Sequence, residues 1–304
     1  MTGYRSIFLA PEWQHVRYLG WRDEWPHPDF RVMQQQRGPM TRLLVLNAFT
    51  DTAEFAGQWE AILSRRNAMT EICLHDLTGS PAVAAIADAS GMAVLSADQR
   101  LLNIATFAID LSPDEDALFA AMSSDTRRKV RNAEKNGLRF DAEAHRDPAR
   151  IAQFVASFQR MAGERALHAI SPATVDSMIG DGLARLFAVE DEAAGPEGER
   201  SFLLSYESSG TGFFLYGASD RAKQNDGAGH LLQWGAIRAF RQAGHRWYDM
   251  GGLPALDSSN GIYRFKKGFG GELVELGTEY GWSGLMVRAA RQGRALAGRL
   301  KGAA

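Results

Sequence analysis

The sequence is poor in cysteine: among its 304 residues there is one, Cys73. A single cysteine cannot form a disulfide within the chain, and its place in an apolar stretch predicts a buried, unreactive thiol. Long apolar runs are also missing, since none approaches the roughly 20 residues that cross a bilayer. The first residues lack the apolar core of a signal peptide. These absences favour a cytoplasmic protein.

Several catalytic motifs are missing as well. The seven histidines are scattered along the chain, and no His/Cys cluster has the spacing of a zinc site. There is no Gly-x-Ser-x-Gly nucleophile elbow and no phosphate-binding P-loop. The sequence therefore gives no support for a zinc enzyme, a serine hydrolase or a P-loop NTPase.

No charge of one sign dominates the composition. With 34 basic and 36 acidic residues the net charge is −2, which argues against a protein that coats nucleic acid. A local basic patch is compatible with this balance because binding responds to the local potential. The hydrophobic share of 45% and the charged share of 23% indicate a globular protein with one large domain or two ordinary ones.

Hydrophobic periodicity predicts an α+β fold around a largely antiparallel sheet. Strands are predicted at residues 71–77, 103–111, 185–189, 202–206, 213–216 and 246–250. Helices are predicted at residues 81–89, from a capping box at Ser112, at 124–136, from Asp147 onward and at 228–243. The polar stretch of residues 191–199 predicts a surface loop.

The segment from Asn260 to Gly271 is the most informative part of the chain. Arg264, Lys266 and Lys267 lie there among aromatic residues, and the segment ends on glycines. We predict a loop that brings positive charge and bare backbone against a phosphate or a developing oxyanion. The alternative is a solvated turn between a helix and a strand.

Cations also line the helix predicted after Ser124. Arg127, Arg131 and Lys135 are four residues apart and form one stripe, with Arg128 beside it. Like charges at this spacing repel each other, so the stripe suits the phosphates of a large polyanion. The alternative is a solvated helix face.

A glycine-rich turn precedes the helix predicted at residues 228–243. Residues 224–229 fit the pattern Gln/Arg-x-x-Gly-x-Gly of acyl-CoA N-acyltransferases. In that pattern, loop amides near Gly227 and Gly229 and the helix N-terminus hold a pyrophosphate. The alternative is an ordinary turn between a strand and a helix.

Asp249 lies at the end of the last long predicted strand, directly before Met250 and two glycines. Glycines after a strand let a ligand or another backbone approach closely. Asp249 could act as a base, as an orienting carboxylate or as a simple turn cap, and a turn role is the plainest of the three.

Taken together, these segments resemble the FemAB (FemABX) family of aminoacyl-tRNA-dependent peptidyltransferases, within the GNAT-like N-acyltransferase superfamily. The segments that carry the resemblance follow the family's order: Gln36-Arg37-Gly38-Pro39, then residues 106–112, 126–137, 247–252 and 263–270. The resemblance covers most of the chain. It implies two GNAT-like α+β domains, one formed by residues 1–104 and the tail 278–304, the other by residues 105–277 with the Phe-Lys-Lys-Gly-Phe-Gly loop.

The resemblance also implies an activity, the transfer of an amino acid from a charged tRNA to an amine. The acceptor would be a cell-wall (peptidoglycan) precursor peptide or another small amine. Attack on the ester of the charged tRNA creates a tetrahedral oxyanion, which a cation in a dry site stabilises. Lys266 is expected to supply this cation, with Lys267 as the alternative, and Asp249 is the second catalytic candidate. No metal is expected, and charged tRNA is a co-substrate rather than a cofactor.

The remaining expectations concern binding residues. Substrate-binding residues are expected at Arg37, Tyr216, Gly227, Gly229, Arg264, Phe265 and Lys267, and tRNA-binding residues at Arg127, Arg128, Arg131 and Lys135. Replacing Lys266 with alanine is expected to lower turnover by orders of magnitude with little loss of stability. The Arg and Tyr with which family members clamp a UDP group have no counterpart at residues 171–175, so an acceptor without UDP is favoured.

Two other functions stay open. The pattern at residues 224–229 favours a CoA-dependent N-acyltransferase, with acetyl-CoA or another acyl-CoA as donor. A third reading is a binding module for tRNA or an envelope precursor that keeps the fold without activity. The basic segment of residues 285–301 could contact an anionic membrane or tRNA, but a docking helix with a solvated basic face is the preferred interpretation.

Overall fold

The structure is a computed structural model of the whole chain. It describes residues 4, 21–26, 30–47, 52–77, 79–96, 99–164, 170–191, 198–220, 226–253 and 255–301. None of the helices in these ranges is long and apolar enough to cross a bilayer.

The described residues form thirteen strands and nine α-helices. The strands are β1 (Trp21–Pro26), β2 (Phe30–Arg37), β3 (Met40–Asn47), β4 (Thr70–Asp76), β5 (Ala93–Val94), β6 (Ala105–Asp110), β7 (Leu138–Asp141), β8 (Ala184–Asp191), β9 (Arg200–Ser208), β10 (Thr211–Ser219), β11 (Trp247–Leu253), β12 (Glu272–Glu275) and β13 (Thr278–Ser283). The helices are α1 (Thr52–Leu63), α2 (Pro81–Ala89), α3 (Glu115–Ala121), α4 (Ser124–Lys135), α5 (Pro148–Glu164), α6 (Pro172–Gly180), α7 (Ala228–Gln242), α8 (Gly261–Lys267) and α9 (Leu285–Lys301).

The chain divides into two compact units. The central unit contains Ala105–Val274 and, from the start of the chain, Tyr4. The outer unit, so named because its residues lie on both sides of the central unit in the sequence, contains the described residues from Trp21 to Ile104 and those from Glu275 onward. Each unit is built on one mixed sheet with helices, so the α+β class predicted from the sequence is confirmed.

The outer unit has six strands in the order β1-β2-β3-β4-β13-β5. Only β3 and β4 run parallel, and β13 returns late in the chain to pair antiparallel with β4. One face of the sheet packs Val45 and Leu74 against α1 and α2, and the other packs Leu44 and Cys73 against the segment after β5. Cys73 is buried as predicted, and burial raises the pKa of its thiol to about 12.

The central unit has seven strands in the order β12-β6-β11-β10-β9-β8-β7. The contact between β10 and β11 is parallel, and β11 runs antiparallel to β6 on its other side. Helix α7 connects β10 to β11 and buries nine of its fifteen residues, including Trp234 and Phe240. The sheet therefore holds β11 at its interior, between a parallel and an antiparallel neighbour.

One predicted helix start is wrong. The helix expected from Ser112 begins at Glu115, because the side chain of Asp114 accepts the free N–H of Ala117 at 2.8 Å and acts as the N-cap. The next helix agrees with its prediction: Ser123 caps α4, and Gly137, with φ of +84°, ends it.

Candidate active site

Strand β11 is irregular where it carries Asp249. Its pairing with β6 shifts register between Asp249 and Gly252. Gly251 has φ of +74°, and a Cβ there would lie 2.6 Å from the carbonyl oxygen of Phe214. Only glycine fits such a close approach in a left-handed conformation. The carbonyls of Gly251 and Gly252 lie at this irregularity, and both take part in the site.

The carboxylate of Asp249 is enclosed by hydrogen-bond donors. It accepts hydrogen bonds from the hydroxyls of Thr106 and Tyr4 and from the N–H of Gly251 at 2.8 Å. The side chain is buried. Burial raises the pKa of Asp249, while these donors and the charge of Lys266 oppose that rise. Because three donors bind this one buried carboxylate, Asp249 holds the surrounding hydroxyls and backbone in place.

The segment expected to be a loop is largely a helix. The Asn260 side chain accepts the N–H groups of Ile262 and Tyr263 at 2.8 and 3.3 Å, so it caps α8. At the other end of α8, the carbonyl of Gly268 accepts the N–H of Ser123 at 2.9 Å. The glycines end the helix there. The Phe-Lys-Lys-Gly-Phe-Gly sequence thus spans the last turn of a capped helix and the turn that follows.

Lys266 points from α8 into the bulge of β11. Its side chain is buried, with the residue 6% exposed. Its Nζ donates to the carbonyl oxygens of Gly251 at 2.9 Å and Gly252 at 2.8 Å, and it lies 5.5 Å from the ring centre of Phe214. An ammonium group has three N–H donors. The described residues supply acceptors for two of them, which leaves one donor for a ligand.

The protonation of Lys266 is tuned by its surroundings. Burial lowers its pKa to about 8, and the nearby charge of Asp249 counteracts this. At neutral pH the ammonium form therefore still predominates. The site thus holds one buried positive charge between two backbone carbonyls, with a buried carboxylate nearby.

This pKa gives an expectation for the pH dependence of any reaction that needs the Lys266 ammonium. The rate should fall as pH rises above about 8, whereas an unperturbed lysine with a pKa near 10.5 would keep its charge there. In Lys266→Arg this basic limb should disappear, because arginine stays protonated. Initial rates between neutral and alkaline pH, corrected for the uncatalysed background reaction, measure this. A limb near 8 that persists in Lys266→Arg belongs to another group.

The other candidates near α8 lie at different depths. Phe265 is half-buried, with ring contacts to His230 at 4.9 Å and Phe269 at 5.3 Å. Arg264 and Lys267 are exposed, and the Lys267 ammonium lies 5.8 Å from the ring centre of Tyr263. Of the two neighbouring lysines, Lys266 is therefore the one placed beside Asp249.

Tyr216 and Arg37 lie elsewhere. Tyr216 is on β10, where its ring packs 4.8 Å from that of Phe158 and burial raises its pKa to about 12. Arg37 is exposed at the end of β2 in the outer unit, where its Nε donates to the side-chain oxygen of Gln35 at 2.8 Å.

The four cations predicted on α4 have unequal surroundings. Arg127 donates to the carbonyl oxygens of Ala120, at 2.8 Å, and Met122, so it also caps the end of α3. Arg131 is exposed with its guanidinium 5.1 Å from the ring centre of Phe119. Lys135 is exposed in the last turn of α4, and the exposed Arg128 pairs with Asp125. Arg128, Arg131 and Lys135 remain accessible to an anion.

The glycine pattern before α7 is built for packing. Gly227 has φ of +89°, and a Cβ there would lie 2.5 Å from the carbonyl oxygen of Lys129 on α4. Asp226 accepts the N–H of Ala228 at 2.9 Å. A carboxylate at that position already occupies an amide that a pyrophosphate would use, and its charge repels phosphate. Gln224, the first residue of the pattern, lies outside the described residues.

Two glycines of this pattern make a matched pair for a stability test. Gly227→Ala should lower the free energy of unfolding by about 2–4 kcal/mol, because it combines a left-handed backbone with a backbone clash. Gly229→Ala should be neutral or stabilise by up to about 1 kcal/mol, because the added Cβ meets nothing within 4 Å and alanine favours helix. Urea denaturation of both variants measures the difference. Equal effects would contradict the packing role of Gly227.

Sequence reasoning missed two residues of the site. Tyr4 and Thr106 both donate to Asp249, across sequence separations of 245 and 143 residues. Thr106 begins a segment that carries the family resemblance, which is the one signal that could have identified it. Nothing in the local sequence distinguishes Tyr4 from any other tyrosine. In the described part of the chain, no three His, Cys, Asp or Glu side chains are grouped so that they could hold a metal ion.

The chain is similar to a known family in sequence and to known proteins in structure. The FemAB family matches residues 194–282, which include Asp249 and Lys266. FemX has a similar structure, with a TM-score of 0.67 and 17% identity over 90% of each chain. No curated protein sequence matches the chain.

Two further structures share the fold. The C-terminal domain of a candidate lysylphosphatidylglycerol synthetase from Agrobacterium fabrum has a TM-score of 0.58 and 14% identity, over 88% of this chain and 85% of that one. L-PGS from Bacillus licheniformis has a TM-score of 0.56 and 14% identity, over 90% and 88%. The resemblance drawn from the sequence is thus confirmed: the FemAB family model matches the segment that carries Asp249 and Lys266, and the chain shares its fold with FemX.

Proposed function

We propose that this protein is an aminoacyltransferase that forms an amide bond by moving an amino acid from a charged tRNA to an amine acceptor. The family match supports a transferase of acyl groups. The observation that carries the proposal is the buried Lys266 ammonium, fixed by two carbonyls, with one N–H that none of the described residues accepts. A fixed cation in a dry environment suits an acyl transfer through an oxyanion.

The chemistry needs little from the protein beyond charge and position. The neutral amine attacks the ester carbonyl, a C–N bond forms, and the carbonyl oxygen becomes an oxyanion that accepts the third N–H of Lys266. When the intermediate collapses, the C–O bond to the tRNA ribose breaks, and the ribose oxygen gains the proton that the amine loses. Preorganised donors of this kind typically contribute about 10²–10³ in rate.

Asp249 acts as a positioning residue in this scheme. Its oxygens are already taken by Thr106, Tyr4 and the Gly251 N–H. Through that N–H it fixes the bulge whose carbonyls hold Lys266, and its charge keeps the pKa of Lys266 from falling further. Of the three roles open to Asp249 from the sequence, the orienting carboxylate fits these contacts best.

The exposed cations of α4 supply a candidate contact for the tRNA backbone. Arg131→Gln together with Lys135→Gln should weaken tRNA binding and reduce the slope of log affinity against log salt by about 1 for each lost phosphate contact. The stability of the protein should not change, because both side chains are exposed. Filter binding over a range of salt concentrations measures both quantities. An unchanged slope would remove α4 from the tRNA contact.

Arg127→Gln is the informative comparison for that double variant. Its guanidinium caps the carbonyls at the end of α3, so its loss should lower the free energy of unfolding by about 1–2 kcal/mol. A change in salt slope from Arg127→Gln without any loss of stability would mean that this cap is absent in solution.

Transfer can be tested without knowing the natural acceptor. The protein is mixed with a pool of tRNA charged with radiolabelled amino acids and a synthetic peptide that offers a free lysine amine. The proposal expects label in a product that survives the mild alkali that hydrolyses esters, and no product after ribonuclease treatment. Transfer from acetyl-CoA to the same peptide, insensitive to ribonuclease, would instead establish a CoA-dependent enzyme. Binding of tRNA without transfer to any amine offered would favour the non-enzymatic module.

A further inference from the structure

Helix α9 presents an apolar surface to solvent. Leu285 is 66% exposed and Met286 is 54% exposed, and Ala289 and Ala290 are exposed on the following turn. Val287 is the only buried residue among positions 285–293. The preferred interpretation from the sequence, a helix whose solvent side is basic, describes only part of this surface.

Backbone hydrogen bonds hold the start of α9 in an orientation that leaves Leu285 and Met286 exposed to solvent. Backbone N–H groups of Gly284 and Met286 donate to the carbonyls of Thr70 and Ala68 at 2.8 and 3.0 Å. Val287 then enters the outer unit. With the backbone anchored on that side, Leu285 and Met286 cannot turn inward without breaking these bonds.

The sequence of α9 is made largely of apolar and basic residues. Leucines recur later in it, at Leu296 and Leu300. The rest of the helix is basic: Arg288, Arg291, Arg294, Arg299 and Lys301, with no acidic residue after Glu279. A helix with an apolar face and a face of cations lies in the interface of a membrane, its apolar side chains among the acyl chains and its cations at the headgroups.

We propose that α9 docks the protein onto an anionic lipid surface. Two other binding partners, a second copy of this chain and RNA, account for fewer features of this surface. A second copy of this chain would bring two sets of cations together, and like charges that face each other oppose association. RNA would engage the cations through its phosphates but would leave Leu285 and Met286 in water.

The experiment is co-sedimentation of the full chain with vesicles of phosphatidylcholine, with and without phosphatidylglycerol. The protein should bind the anionic vesicles at least about tenfold more tightly than the neutral ones, with an affinity that falls as salt rises. Leu285→Glu with Met286→Glu should weaken this binding at least about tenfold, because it places carboxylates on the apolar face. Leu256→Glu, at a residue 47% exposed in the central unit, should bind like the unchanged protein.

A charge variant separates the two halves of the mechanism. Arg288→Gln, Arg294→Gln and Arg299→Gln together should lower binding to anionic vesicles about 10²-fold and reduce its salt dependence. Arg291 is kept because it pairs with the buried Glu71. Circular dichroism and thermal melts show whether each variant is folded.

Each other outcome overturns the proposal. Absence of vesicle binding by the unchanged protein does so, as does binding that survives both sets of substitutions. A change in oligomeric state caused by the Glu variant would assign the face to a second copy. Loss of tRNA binding in the arginine variant, without any vesicle binding, would assign the cations to RNA. None of these measurements depends on aminoacyl transfer, so they test the membrane proposal independently of the proposed activity.

Discussion

Replacing Lys266 with methionine should lower kcat/KM for amino-acid transfer about 10²- to 10³-fold, the usual loss when one oxyanion donor is removed. Methionine keeps most of the length and apolar character of the lysine stem while removing the charge and all three N–H donors. The effect should appear with every charged tRNA that the enzyme uses, because the oxyanion arises whichever amino acid is moved.

Lys267→Met is the matched control for that variant. It removes an ammonium of the same chemistry one residue away, but an exposed one, so its loss of rate should be much smaller. Equal losses in the two variants, or a larger loss at position 267, would contradict the assignment. Lys266→Arg should retain more activity than Lys266→Met, because it restores a charged donor even though its geometry differs.

The same variant revises the expectation that position 266 can be changed without loss of stability. Removing the ammonium takes a donor away from the partly buried Gly252 carbonyl and one of two donors away from the buried Gly251 carbonyl, which keeps the Thr106 hydroxyl at 2.9 Å. Each unsatisfied buried polar group costs about 1–3 kcal/mol, so Lys266→Met should unfold at lower urea concentration. Rates therefore need to be compared at a temperature at which every variant is fully folded.

Replacing Asp249 with alanine should have the largest effect on stability, lowering the free energy of unfolding by about 3–5 kcal/mol. The change leaves a buried ammonium without its carboxylate, and it leaves the Thr106 and Tyr4 hydroxyls and the Gly251 N–H without their acceptor. Urea denaturation followed by circular dichroism measures the loss.

Asp110→Ala provides the comparison on the neighbouring strand. Asp110 pairs with Arg246 at 2.8 Å, with about a third of its side chain exposed, and such surface pairs contribute up to about 1 kcal/mol. A loss in Asp249→Ala no larger than that of Asp110→Ala would mean that the buried network around Asp249 does not hold in solution.

Asp249→Asn keeps the size of the side chain and isolates its charge. The Asp249 charge raises the pKa of Lys266, so the asparagine variant should hold an even lower lysine pKa. The basic limb of its pH–rate profile should therefore lie below the limb near pH 8 of the unchanged protein. If the basic limb stays at the same pH in Asp249→Asn, the charge of Asp249 does not influence the pKa of Lys266.

The order of elements could be predicted because periodicity reports directly on which face of a strand or helix is buried. Helix α7, for example, follows from a helical apolar pattern, and strand β9 from a short apolar run, nearly all of which is buried. Helix α8 could not, because its glycines and clustered cations are typical of a loop. Its helical form depends on Asn260, whose capping hydrogen bonds are invisible in composition.

The catalytic candidates were predictable only in part. Lys266 and Asp249 lie 17 positions apart and could be paired through the family resemblance. That the lysine binds the carbonyls of β11 depends on a bulge, and a bulge is set by the packing of Gly251 on Phe214. The contribution of Tyr4 comes from the opposite end of the sequence, where local pattern carries no information about long-range contacts.

The most direct test of the account is the single-turnover rate of transfer from charged tRNA to the lysine peptide, with enzyme in excess over a range of concentrations. This separates binding from bond formation. For Lys266→Met we expect a maximal rate constant about 10²–10³ lower than that of the unchanged protein, at nearly the same half-saturating enzyme concentration. An undiminished maximal rate constant, with weaker binding as the sole defect, would contradict it.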